Sequence, residues 1–187
     1  VRILGGKAKG RKISTLSTKG SRPTLQVVRK SIFDVLGYDV QEAQVLDLYS
    51  GTGSLGLEAL SRGGYEATFV DENQRALDVV RENAEELGFE EKIHLVKGDA
   101  ARMLPKLARN GMSYHIVFAD PPYQRSLTSE MIEAFGVSGI VRNGGSFIIE
   151  HSKHAELPDR IGRLVLWQRK DFGETRVSFY RKEKELS

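Results

Sequence analysis

From residue 45 to residue 150 the chain alternates short apolar runs with segments of helical period, and that rhythm restricts its fold more than any other feature. Residues 45–49, 67–71, 93–97, 115–119 and 146–150 read as buried strands. Between them a 3.6-residue period marks helices over 54–61 and 73–87, a helix capped by Asp99 and ending at Leu107, and a helix over 127–135. Gly63-Gly64 and Gly88 stand where the first two should stop. Strands joined by helices run parallel through right-handed crossovers, so the pattern predicts an α/β fold with a mostly parallel sheet and helices on both faces. The end of the chain breaks the rhythm: runs 164–169 and 176–181 are separated only by 170–175, too short for a helical crossover, and predict a C-terminal antiparallel hairpin.

The N-terminus differs in kind. Residues 1–4 and 11–15 flank the turn Gly5-Gly6-Lys7-Ala8-Lys9-Gly10 and suggest a small basic β-hairpin. After Pro23, a helix over 24–36 is expected, with Val27, Val28, Ile32, Val35 and Leu36 on one face, Thr24 as its N-cap and Gly37 as its stop. The first thirty residues hold nine Lys and Arg and no acid, leaving nineteen basic against 25 acidic residues in the rest. A basic arm (1–23) on an acidic body (24–187) suits a polyanion such as nucleic acid, although a solvated tail accounts for the charge equally well.

At 187 residues the chain is of one-domain size. It has no cysteine, which excludes disulfide scaffolds, thiolate metal sites and cysteine nucleophiles. No apolar run is long enough to span a membrane, and the first twenty residues are basic and Gly-rich rather than signal-like, so a soluble cytoplasmic protein is expected.

The first strand runs into Asp47-Leu48-Tyr49-Ser50-Gly51-Thr52-Gly53-Ser54-Leu55-Gly56, a G-x-G-x-x-G turn, and Asp71 ends the next strand twenty residues after Gly51. Glycines let such a turn approach a ligand, and a carboxylate at that distance can accept hydrogen bonds from a ribose. Nicotinamide dinucleotides and S-adenosylmethionine both use this geometry. Asp47 favours the second, because a carboxylate beside the turn attracts amino and sulfonium groups and repels a pyrophosphate; the alternative is that Asp47 bonds the turn's own amides.

More specific is Asp120-Pro121-Pro122-Tyr123, directly after the fourth strand, where an open parallel sheet has its ligand crevice. The prolines fix the backbone and remove two donors. The Asp120 side chain and the Pro121 carbonyl can then accept both hydrogens of an exocyclic amine and aim its lone pair, while Tyr123 offers a flat face to a flipped-out base.

Both motifs, in this order, resemble the class I S-adenosylmethionine-dependent methyltransferases that act on exocyclic amino nitrogens and have a Rossmann-like fold. With Arg2-Ile3-Leu4-Gly5-Gly6, Gly10-Arg11-Lys12, Arg22-Pro23-Thr24 and Arg29, the resemblance narrows to the RsmD family, the 16S ribosomal RNA guanine-N2 methyltransferases, and spans nearly the whole chain. It implies S-adenosylmethionine as cofactor and 16S RNA or the assembling small subunit as partner. Asp47, Ser50, Gly51 and Gly53 would hold the methionine end, Asp71 the ribose, and Asp99 with Ala100 would border the adenine. Arg2, Lys7, Arg11, Lys12, Arg22, Thr24 and Arg29 would lie on the RNA. The chain departs from the family pattern at Gln26 and Lys30, where acids commonly stand.

Other residues read more plainly. His94, His115, His151 and His154 are too scattered for a metal site, even if the last two share a helix face. Trp167 suits core or edge packing, and Glu58 suits the start of a helix. Three rival functions remain: DNA adenine methylation, which would lack a base-reading domain; a nicotinamide-dependent oxidoreductase, which leaves Asp47 and the prolines unexplained; and a non-catalytic RNA-binding module.

Overall fold

The computed structural model describes residues 1–16, 23–122 and 129–184. They form one sheet of eight strands: β1 Gln44–Leu48, β2 Glu66–Asp71, β3 Ile93–Lys97, β4 Tyr114–Ala119, β5 Val141–Ser152, β6 Arg160–Ile161, β7 Leu164–Phe172 and β8 Thr175–Lys182. Its order is β3-β2-β1-β4-β5-β8-β7-β6. The first five strands are parallel, and β8, β7 and β6 extend the sheet antiparallel.

The helices are α1 Pro23–Leu36, α2 Ser54–Ser61, α3 Gln74–Leu87, α4 Ala100–Arg109 and α5 Ser129–Val137. Successive strand residues feed opposite faces. Phe118 and Ile148 pack under α1, α2 and α3 with Phe33, Leu57 and Val80; Val117 and Phe147 pack under α4 and α5 with Leu104 and Phe135. Burial on both faces is why these strands carry unbroken apolar runs. The α/β architecture, Rossmann-like with an antiparallel C-terminal extension, is the one expected.

Local differences have local causes. β5 starts five residues before the expected 146, passing through Gly144-Gly145, which look like a turn in sequence. A Cβ on Gly145 would come within 2.9 Å of the carbonyl oxygens of Arg142 and His115, so glycine admits a close approach where the β4–β5 register shifts. β7 and β8 also run longer than expected, joined by Gly173-Glu174 with Gly173 at φ +61°. The two-residue β6 carries too little pattern to be seen in sequence. Trp167 lies at the irregularity in β7, half exposed, its ring 5.9 Å from Phe179 with the Arg181 guanidinium 5.5 Å above it: edge packing. Pro23 occupies a helical position, so Thr24 is inside α1 rather than its cap; a first-turn proline lacks only an N–H that the helix does not use.

The N-terminal hairpin is reduced to a single antiparallel bridge, Arg2 with Lys12, flanked by hydrogen bonds from Ile3 N–H to the Arg11 carbonyl (3.0 Å) and from Ile13 N–H to the Val1 carbonyl (2.9 Å). Ile3, Ala8 and Ile13 sink into the same core as α1, while Arg2, Lys7, Arg11 and Lys12 face outward. The basic segment is a strap on the body, with its charge on one side only.

Candidate active site

In an open parallel sheet a ligand crevice opens where neighbouring strands lead to connections on opposite faces. Here that point lies between β1 and β4, and the glycine turn and Asp120-Pro121-Pro122 leave their carboxyl ends.

After β1 the backbone coils through Tyr49, Gly51 and Gly53, all at positive φ (57°, 52° and 84°). Asp71, at the end of β2, accepts from Gly51 N–H and from Asn73 N–H, each at 2.8 Å. Asp47 accepts from Gly56 N–H at 2.9 Å, satisfying a first-turn amide of α2. The third glycine is required sterically: a Cβ on Gly56 would lie 2.3 Å from the buried Phe69 ring. Gly56→Ala should therefore cost about 1–3 kcal/mol by overpacking, readable in urea unfolding; an unchanged midpoint would mean that Phe69 moves freely.

Burial pushes the Asp47 carboxyl up to about 8, with Asp120 and Asp71 adding like-charge repulsion against the Gly56 hydrogen bond. Asp47 thus keeps a proton in the folded protein between about pH 4 and pH 8, where the unfolded chain has lost it. The folded state binds more protons there, so this group's contribution to stability declines as pH rises through that window. Asp47→Asn has no proton to lose. Its melting temperature relative to the parent should climb from about pH 5 to about pH 8, and a constant gap would show an ordinary carboxyl.

Tyr49, Asp71, Gly98, Ala100, Asp120 and Pro121 are among the residues around a cavity of about 360 Å³. Next in the chain to Tyr49, the Ser50 hydroxyl is buried without a hydrogen-bond partner among the described residues. Asp99 caps α4 through Arg102 N–H at 3.0 Å, which fixes Ala100 at the cavity wall. The cavity's acids, and an orphan hydroxyl in the turn that leads to it, suit a ligand with cationic and hydrogen-bonding groups.

A second cavity, of about 200 Å³, lies on the α1 side of the sheet and is bounded by Val1, Thr15, Gln26, Arg29, Leu55 and Glu150 among others. Asp120 borders both cavities. The residue keeps some exposure, yet the loss of hydration around its carboxyl raises its pKa; Glu150 is buried and is raised by burial and by the charge of Asp120. Sequence reasoning did not single out Glu150. The available signal was its place: it closes an apolar strand run as Asp71 and Asp120 do.

Two residues sit differently from what their segments suggest. Arg29 borders the second cavity but is no exposed arm: it is 5% exposed, donates to the Arg2 carbonyl and lies 3.6 Å from Glu58, and burial lowers its pKa. Glu58 is no exposed helix-start charge: it is wholly buried, accepts from Leu4 and Gly5 N–H (both 2.8 Å) and pairs with Arg62 at 2.8 Å. Asn83, a lone polar residue on the apolar face of α3, bonds Ser14 and the Thr52 carbonyl, tying the strap to the glycine turn. Tyr123 and Arg22 lie outside the described residues, as does the Thr24 side chain. Gln26 borders the second cavity, whereas Lys30 is exposed and bonds Asp34 at 2.6 Å, so neither departure touches the first cavity.

His151 belongs to β5, not a helix, and bonds Ser178 Oγ at 2.8 Å; His154 bonds Glu174 at 2.8 Å. Among the described residues no cluster of three metal-ligating side chains occurs, and no helix is long and apolar enough to cross a membrane.

Against known proteins, the chain is 31% identical over 188 residues to the ribosomal RNA small subunit methyltransferase D of Escherichia coli (strain K12), covering 98% of this chain and 90% of that one. The solved structure of yhhF from Escherichia coli superposes with a TM-score of 0.86 at 31% identity, covering 99% of each chain. SMU.776, solved in complex with SAH, shares the fold at 17% identity (TM-score 0.68), covering 86% of this chain and 50% of that one. A family profile described as conserved hypothetical protein 95 matches residues 1–181, and the chain belongs to that family, the RsmD methyltransferases whose motifs its sequence carries.

Proposed function

We propose that this methyltransferase transfers a methyl group from S-adenosylmethionine to the exocyclic N2 of a guanine in 16S ribosomal RNA, in the cytoplasm, on free RNA or the assembling small subunit. The observation that carries this reading is that Asp120 borders both cavities, one acid-rich and beside the glycine turn, the other walled by α1 and the basic strap. A methyl group and its acceptor must meet at such a shared wall.

S-adenosylmethionine would supply an electrophilic methyl group on a positively charged sulfur. Asp47, Ser50, Gly51 and Gly53 fit its methionine end, since they combine an enclosed carboxyl, an orphan hydroxyl and a turn that comes close. Asp71 fits the ribose, and Ala100, held by the Asp99 cap, borders the adenine. A cation would stabilise the ionised form of Asp47, whereas a pyrophosphate would meet the acids on the cavity wall, Asp71 and Asp120, with like charge, which disfavours a nicotinamide dinucleotide.

On the acceptor side Asp120 and the Pro121 carbonyl accept from the amine and aim its lone pair at the methyl carbon. As the nitrogen–carbon bond forms and the sulfur–carbon bond breaks, the amine's proton goes to the Asp120 carboxylate. Pro122 stiffens this turn and Tyr123 supplies the stacking face. Arg2, Lys7, Arg11 and Lys12, with Arg22 and Thr24, hold phosphates. Neutralising Lys7 and Lys12 to Gln should lower the slope of log affinity against log salt by about one to two; an unchanged slope would remove the strap from the RNA.

The test of the reaction is transfer of labelled methyl from S-adenosylmethionine to small-subunit RNA or subunits lacking the modification, followed by nucleoside analysis. Label in N2-methylguanosine is expected. Label in another nucleoside, or none while the cofactor binds, would overturn the assignment.

A further inference from the structure

Glu150 is a buried carboxyl group on the second cavity to which the reaction above gives no task. It ends β5's apolar run beside Asp120: Ala119 pairs with Ile149 in the parallel β4–β5 register, so the next residue on each strand is Asp120 on one and Glu150 on the other. Neighbours in a parallel pair share a face, here the α1 face, and both side chains line the same cavity. Among the described residues no Lys, Arg or His forms a salt bridge with either carboxyl group. Leu25, Val28, Ile32 and Leu55 supply apolar walls around them. Arg29 borders the same cavity without a salt bridge to either carboxyl, and a buried carboxyl set beside a second one costs stability unless a ligand with matching donors uses both.

Guanine has such a pair. Its Watson–Crick edge carries the N2 amine and, directly next to it, the N1–H donor; adenine has an acceptor nitrogen beside its amine. The geometry points to Glu150 as the residue that selects guanine, a carboxyl oxygen accepting from N1–H while Asp120 and the Pro121 carbonyl accept from N2. The carboxyl group keeps an accepting oxygen whether or not it holds a proton, so this role does not depend on its charge. The inference rests on the guanine-N2 reading and adds the group that sets base identity, leaving proton acceptance to Asp120.

The test uses the full chain and two forms of one RNA fragment, with guanine or N1-methylguanine at the position that mapping of the labelled fragments identifies. A methyl on N1 removes the donor and fills the space Glu150 occupies. The parent enzyme should prefer guanine by about a hundredfold or more. Glu150→Ala removes the obstructing carboxyl and should narrow that preference to within about tenfold, while S-adenosylmethionine affinity stays unchanged. Glu150→Gln, of the same size and still an acceptor, should keep most activity on guanine and still reject N1-methylguanine.

A parent enzyme that methylates both RNAs equally would overturn the role of Glu150 without touching the reaction assignment, and this holds even if Glu150→Ala fails to fold. Proportionate loss on both RNAs in Glu150→Ala would make the residue structural and overturn it as well. No transfer by the parent to the guanine RNA would sink the reaction reading, and this inference with it.

Discussion

Replacing Asp120 with Ala should lower methyl transfer by on the order of a thousandfold while S-adenosylmethionine binding changes only a few-fold. Two effects combine in that figure. Losing a positioned acceptor lets the amine rotate, so its lone pair no longer faces the methyl carbon, and losing a proton acceptor typically costs about 10²–10⁴-fold alone. Cofactor binding persists because the glycine turn, Asp47 and Asp71 remain, although removing one negative charge from the shared wall weakens it slightly. Asp120→Asn separates the two effects, since the amide oxygen still accepts from the amine but takes no proton. Because its surroundings raise the Asp120 pKa, the acid limb of the parent's pH–rate profile should sit above the usual carboxylate range and vanish in Asp120→Asn. Parallel loss of cofactor affinity and transfer would place Asp120 in the cofactor site alone.

Why these residues were legible in sequence and others were not follows from the range of the interactions involved. Asp47, Gly51, Gly53, Asp71 and Asp120 sit at strand ends, where a turn's composition and the length of a strand–helix unit fix position along the chain, and the fold translates that into position in space. Glu150 obeys the same rule at the end of β5's apolar run, two residues before the strand itself ends, but lacks a neighbouring proline or glycine to flag it. Arg29 and Glu58 fail differently. Their roles depend on which helix faces meet, 29 residues apart in sequence, and nothing in either segment reveals that an exposed-looking Arg in α1 and a helix-interior Glu in α2 share a burial site. The strap misleads for the same reason: its Gly-rich turn and short apolar runs look like a hairpin, but beyond the few bonds that Ile3, Gly10 and Ile13 make across it, the Leu4, Gly5 and Ala8 amides bond to α2 side chains.

Glu58 is where the largest loss of stability is expected. One fully buried carboxylate accepts two strap amides, from Leu4 and Gly5, and faces two guanidinium groups, Arg62 at 2.8 Å and Arg29 at 3.6 Å. Glu58→Ala strips the two amides and Arg62 of their acceptor, and Arg29 of its nearest counter-charge, at once. Arg29, itself buried with an Nε that lacks a hydrogen bond among the described residues, is left as a charge with no counterion. Breaking a buried pair from one side costs about 3–5 kcal/mol, and orphaned amides add to it. At this chain length each kcal/mol moves the melting temperature by about 2–4 °C, so a drop of roughly 10 °C or more is expected. Glu58→Gln retains one acceptor oxygen and should fall between parent and Ala variant. The damage should also be directional: the strap supplies Val1 and Thr15 to the second cavity, so Glu58→Ala should weaken RNA binding at temperatures where the body is still folded and S-adenosylmethionine binds normally. A melting temperature within a degree or two of the parent would mean that water replaces the carboxylate at this junction, and the strap would then owe its place to Ile3, Ala8 and Ile13 instead.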